Sequence, residues 1–154
     1  MILALGSDIL MDEAVAIVMA KDLKQLFPDF DLRILPLGGI GLIELIAGFE
    51  IVIIIDTMIS HEKEMGAMTI INDFQTAALL HLQNPHDVDF ENTIRLAEKL
   101  GYNLPKRIII LAINIKQNLV ASSALSRDIL RSYDKLLRRS AEIIKDLLQG
   151  IDPS

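Results

Sequence analysis

Short apolar runs, rich in β-branched residues, alternate along the chain with longer stretches whose apolar positions recur every three to four residues. Residues 2–5 predict a first strand, and 12–27 a helix stopped by Pro28. Residues 31–35 alternate apolar and polar side chains, as a second strand does. Gly38-Gly39-Ile40-Gly41 marks a turn before a short helix over 42–47. In 50–55, five consecutive Val or Ile residues follow Glu50, the signature of a strand buried on both faces. Residues 67–71 predict a further strand. It comes soon after Ile55 with no helical pattern between, so it is expected antiparallel at an edge. Helices are expected over 74–82, broken at Asn84-Pro85, and over 89–100, with Asp89 as N-cap and Gly101 past the end. Residues 106–113 predict the last strand. Residues 122–148 predict a long closing helix striped by Leu125, Ile129, Leu136, Ile143 and Leu147.

This alternation predicts one α/β domain over 1–154. The expected architecture is a three-layer sandwich, an about five-stranded, mostly parallel twisted sheet with helices on both faces. Composition sharpens the expectation. The chain has 154 residues, of which 24 are Ile and 24 Leu, with a mean hydropathy of +0.40. Such a surplus means either membrane spans or a sheet covered on both sides. A spanning helix needs about 20 apolar residues in a row, and the runs at 14–20, 51–55 and 108–113 are far shorter. The first residues carry no basic region and reach Asp8 too early for a signal peptide, so a cytoplasmic protein is expected. With no Cys, a cysteine nucleophile, a thiolate metal site and an Fe–S ligand set are excluded. A net charge of −6 argues against nucleic acid or an anionic membrane as the main partner.

In open α/β sheets, ligands gather outside the carboxyl ends of the strands. Three polar features stand there or nearby. Asp12-Glu13 follows the first strand, where acids also simply complement a helix dipole. Asp56 directly follows the 50–55 strand, where it is either a ligand-facing acid or a cap on the next turn. His86 sits in Asn84-Pro85-His86-Asp87, while His81 falls in an apolar helical pattern and His61 in a charged loop. Glu13, Asp56 and His86 offer O, O and N donors, suitable for an open site on a divalent transition metal. A phosphate loop, a three-glycine dinucleotide fingerprint, a His-Glu-x-x-His zinc motif and a serine elbow are all absent.

In order along the chain, these segments resemble the hydrogenase maturation endopeptidases of the nickel–iron hydrogenases. The resemblance rests on Gly6-Ser-Asp-Ile-Leu-Met-Asp12-Glu13-Ala14, then Gly38-Gly39-Ile40-Gly41-Leu-Ile-Glu-Leu45, then Ile54-Ile55-Asp56-Thr57. It continues through Gly66-Ala-Met-Thr-Ile70, Asn84-Pro-His86 and Leu104-Pro-Lys-Arg-Ile-Ile-Ile110. It implies cleavage of a short C-terminal extension from the hydrogenase large-subunit precursor after nickel insertion. It also implies that Glu13, Asp56 and His86 are the catalytic, metal-contacting residues, and that nickel is carried by the substrate. A monomer with no nucleic-acid or membrane partner is expected. Departures from the family pattern border the expected cleft: Ala4-Leu5-Gly6-Ser7, Ala14-Val15-Ala16, the missing Thr after Gly38-Gly39, and Ala112-Ile-Asn-Ile-Lys-Gln117 after the last strand. They leave a second reading, a non-proteolytic homologue that binds a hydrogenase subunit or its metallocentre as an assembly factor.

Overall fold

The apolar runs of the sequence lie side by side in one sheet because each must bury two faces. The computed structural model describes residues 1–6, 11–35, 40–72, 90–116 and 124–150. Five strands, β1 (Ile2–Leu5), β2 (Leu32–Leu35), β3 (Ile51–Ile59), β4 (Met68–Ile71) and β5 (Arg107–Ile115), form a sheet of order β2-β1-β3-β5-β4. All neighbours are parallel except β4, which runs antiparallel to β5. The 67–71 segment is thus the antiparallel strand its short connection required.

Side chains of successive strand residues point to opposite faces, so each strand feeds two cores. Ile2, Ala4, Ile53, Ile55, Ile109 and Leu111 face one core, closed by α1 (Val15–Leu26) and α4 (Arg127–Leu148). Leu3, Leu5, Val52, Ile54, Ile108 and Ile110 face the other, closed by α2 (Ile40–Ile46) and by Ala97 of α3 (Phe90–Lys99). Fully burying one such Ile or Leu is worth about 1.5–3 kcal/mol. The Ile and Leu surplus is therefore spent on a sheet sandwiched between helices. No helix among the described residues is long and apolar enough to cross a membrane.

Several boundaries differ from the sequence expectation, among them the second helix, which spans Ile40–Ile46 instead of 42–47 and so takes in Ile40 and Gly41 of the expected turn. The central strand extends from residue 55 to Ile59 and the last one from 113 to Ile115, because β3 and β5 pair along their whole lengths. Backbone pairing absorbs Asp56, Thr57 and Asn114 irrespective of their polarity. Asp56 is consequently inside β3 rather than after it. The first helix opens as a 3₁₀ turn at Met11–Ala14 before α1. The long helix begins at Arg127 instead of 122: Ser126 takes an extended conformation, and its Oγ accepts the Ile129 N–H at 3.4 Å, a side-chain N-cap. The expected helix over 74–82 and the Asp89 cap lie outside the described residues.

Candidate active site

In this strand order, β1 connects to β2 on one side while β3 lies on the other. A crevice therefore opens between the carboxyl ends of β1 and β3, the topological switch point at which α/β sheets bind ligands. The register shows where it begins. Pairing of β1 with β3 ends at Ala4 with Ile55, while β3 continues along β5 from Asp56 with Ala112 to Ile59 with Ile115. Asp56 is therefore the first residue of β3 beyond its β1 neighbour.

The backbone explains a carboxylate there. Amides two apart on a strand point to the same side, and the Ile53 N–H donates to the O of Met1, just ahead of β1. The Thr57 N–H thus points to the side on which β1 has run out. It donates instead to Asp56 Oδ1 at 2.7 Å. A half-buried Asp closes the ladder and leaves a carboxyl group at the crevice mouth.

Glu13 lies on the 3₁₀ turn that follows β1. It is half-buried, and burial pushes its carboxyl pKa up from the ordinary glutamate value. Its backbone is held close to β1. Gly6 has φ +144°, and a Cβ at that position would stand 2.7 Å from the Glu13 carbonyl oxygen. Only glycine combines that conformation with that approach.

Asp12, its neighbour, has a different fate. It is 3% exposed, and its Oδ1 accepts the Ser126 N–H at 2.8 Å, 114 residues away at the start of α4. Both residues of the acidic pair read alike in sequence, as helix-start acids, yet the structure gives one to the scaffold and leaves the other half-buried. No local signal identifies that partner.

Asn114 is another structural position the motifs did not single out. It is 2% exposed on β5, and its side chain organises the loop that leaves β3. Its Oδ1 accepts the Ser60 N–H at 2.7 Å, and its Nδ2 donates toward the carbonyls of Ser60, Lys63 and Glu64 at 3.1, 2.7 and 3.1 Å. An amide inside an otherwise β-branched run is the signal that could have marked it. Beside it a cavity of about 360 Å³ opens at the carboxyl ends of β3 and β5, lined by Ser60, His61, Lys63 and Lys116 among others.

Of the three predicted site residues, Asp56 stands where the pairing of β3 with β1 ends, and Glu13 lies on the 3₁₀ turn whose backbone packs against Gly6 at the end of β1. His86 lies outside the described residues. Among the described residues, no three His, Cys, Asp or Glu side chains gather as a metal-ligand set.

The family model described as hydrogenase maturation protease matches residues 17–143. No curated protein sequence matches significantly. Among solved structures, an endopeptidase from Escherichia coli is similar at 22% identity, with a TM-score of 0.71, covering 98% of this chain and 94% of that one. The hydrogenase maturating endopeptidase HybD from E. coli is similar at 23% identity and TM-score 0.71, with the same coverage. The NiFe hydrogenase maturation protease HybD from Thermococcus kodakarensis is similar at 19% identity and TM-score 0.63, covering 92% of this chain and 96% of that one. These structures share the fold, an open and mostly parallel sheet with helices. The family match spans α1 to α4, and by it this chain belongs to the hydrogenase maturation protease family.

Proposed function

We propose that this protein removes a short C-terminal extension from the large-subunit precursor of a nickel–iron hydrogenase, once nickel has been inserted. The observation that carries this reading is the family match over residues 17–143, on a fold whose strand register puts Asp56 where the pairing with β1 ends. Asp56 and His86 fall within the matched residues, and Glu13 stands just ahead of them.

The chemistry follows from what the chain lacks and holds. Without a cysteine, and with no serine elbow, hydrolysis proceeds by a water molecule adding to the scissile carbonyl. Nickel arrives with the substrate, held by the precursor's own thiolates, and this chain has no Cys to compete for it. Glu13, Asp56 and His86 would hold that nickel through O, O and N donors, and nickel bound there would supply polarisation of the scissile carbonyl. A carboxylate of the pair takes the proton of the attacking water, and that proton leaves on the released amine. Burial of Glu13, which raises its pKa, suits it to this exchange. The chain acts as a cytoplasmic monomer in this reading.

The test is incubation with a nickel-loaded large-subunit precursor, followed by mass measurement of the precursor's C-terminus. Loss of the extension is expected with the native chain. Asp56→Ala and His86→Ala abolish it with little loss of fold. Full cleavage by either variant would remove that residue from the site. A precursor bound but left uncut would make the chain an assembly factor.

A further inference from the structure

We infer that Asp12 is a positioning residue, a buried carboxylate that fixes Glu13 by tying its 3₁₀ turn to the start of α4. The inference rests on the reading of Glu13 as a site residue given above.

Consecutive residues of a 3₁₀ turn point about 120° apart. One residue of an acidic pair can therefore face inward while the next does not. Asp12 is 3% exposed and accepts the Ser126 N–H at 2.8 Å, whereas Glu13 is half-buried. Asp12 does not serve its own helix: Ala14 is the N-cap of α1 and makes no side-chain cap bond. Its hydrogen bond instead reaches across the fold to a firm anchor. Ser126 caps α4, a 22-residue helix. That helix is seated in the core by Ile129, Leu136, Ile143, Ile144 and Leu147, and joined to α1 by a 2.6 Å hydrogen bond from Tyr133 Oη to Asp22.

The Glu13 backbone is thus held on two independent sides. The close approach of Gly6 sets its distance from β1, and Asp12 sets its rotation relative to α4. Catalytic groups need placement to within about 0.5 Å, which a turn without such ties does not provide. A displacement of about 1 Å can cost on the order of 100-fold in rate.

The decisive comparison uses Asp12→Ala, Asp12→Asn, Ser126→Ala and Glu13→Gln with the nickel-loaded precursor as substrate. Asp12→Ala is expected to lower kcat about 10- to 100-fold with KM unchanged, and to speed hydrogen exchange at the Ser126 amide. Asp12→Asn keeps an acceptor oxygen and is expected to restore most of kcat and the amide protection. Ser126→Ala removes the Oγ cap but keeps the N–H bond to Asp12, so it loses stability while keeping kcat. The inference is overturned if kcat follows the melting temperature across Asp12→Ala and Ser126→Ala, or if Asp12→Asn falls as far as Asp12→Ala. Full cleavage by Glu13→Gln would overturn the site reading itself. An inactive Glu13→Gln beside a fully active Asp12→Ala would overturn only the positioning role.

Discussion

Replacing Asn114 tests whether the loop after β3 is built by one amide. The contact pattern fixes the orientation of that amide: one N–H partner on Oδ1 and three carbonyls around Nδ2 admit a single assignment. Each hydrogen bond is worth about 1 kcal/mol net. Asn114→Ala removes the set, while the Lys63 and Glu64 carbonyls, in an exposed stretch, recover water. A loss of roughly 2–4 kcal/mol is expected. Asn114→Asp has nearly the same shape and keeps the bond from Ser60 N–H. Its second oxygen, however, replaces a donor and faces three carbonyl oxygens at a site 2% exposed. At neutral pH it is expected to be less stable than Asn114→Ala by about 1–2 kcal/mol. Protonation restores one donor, so the folded-state pKa of the new carboxyl lies above the ordinary value of about 3.9. A raised folded pKa means that the folded state binds the proton more tightly. The deficit of Asn114→Asp relative to the native chain is then smallest near pH 4 and grows as pH rises through the raised value. Urea unfolding of the native chain and both variants at pH 4 and pH 7.5 reads this directly. If Asn114→Asp matched Asn114→Ala at pH 7.5 and showed no recovery in acid, the reasoning would be refuted.

Two further tests probe the packing of α4. Gly66 has φ +76°, and a Cβ there would sit 2.0 Å from Ser132 Oγ, so Gly66→Ala is expected to cost about 1–3 kcal/mol. Ser132→Gly should recover part of that cost in a double-mutant cycle read by chemical denaturation, leaving the share due to backbone conformation; no coupling would refute the close approach. Tyr133 donates to Asp22 at 2.6 Å, and its pKa is raised, first by burial and then by that bond and the nearby Asp22 and Asp134 charges. The folded state keeps the phenol proton more tightly than the unfolded chain does. The stability tied to it is therefore complete below pH ~10 and lost as pH rises toward the folded value. Tyr133→Phe should flatten the alkaline unfolding curve, and an unchanged curve would refute the link.

Much of the architecture is legible in the residue pattern. The β-branched run at 51–55 and the apolar residues 108–113 announce the two central strands, because a parallel sheet covered on both faces must be apolar on both. The missing helix between 55 and 67 announces the antiparallel edge. Strand ends were less legible, since β3 and β5 support each other's polar residues through backbone bonds that no side-chain pattern records. The long helix started late for a similar reason. Ser126 caps the helix, and its N–H is held by Asp12, 114 positions away in the chain.

The sequence by itself determined the layers and the largely parallel sheet, since these follow from local periodicity and strand length. Tertiary structure decided which acid of Asp12-Glu13 is structural, why Asp56 stands where β1 stops, and that Asn114 shapes the loop after β3. Those roles depend on partners 114, 51 and 50–54 positions away, counted from Asp12 to Ser126, from Ala4 to Ile55, the last pair of β1 with β3, and from Asn114 to Glu64 and Ser60. Hydrogen bonds and strand register act across space, and a carboxylate or amide acquires its role only when folding brings its partner within about 3 Å.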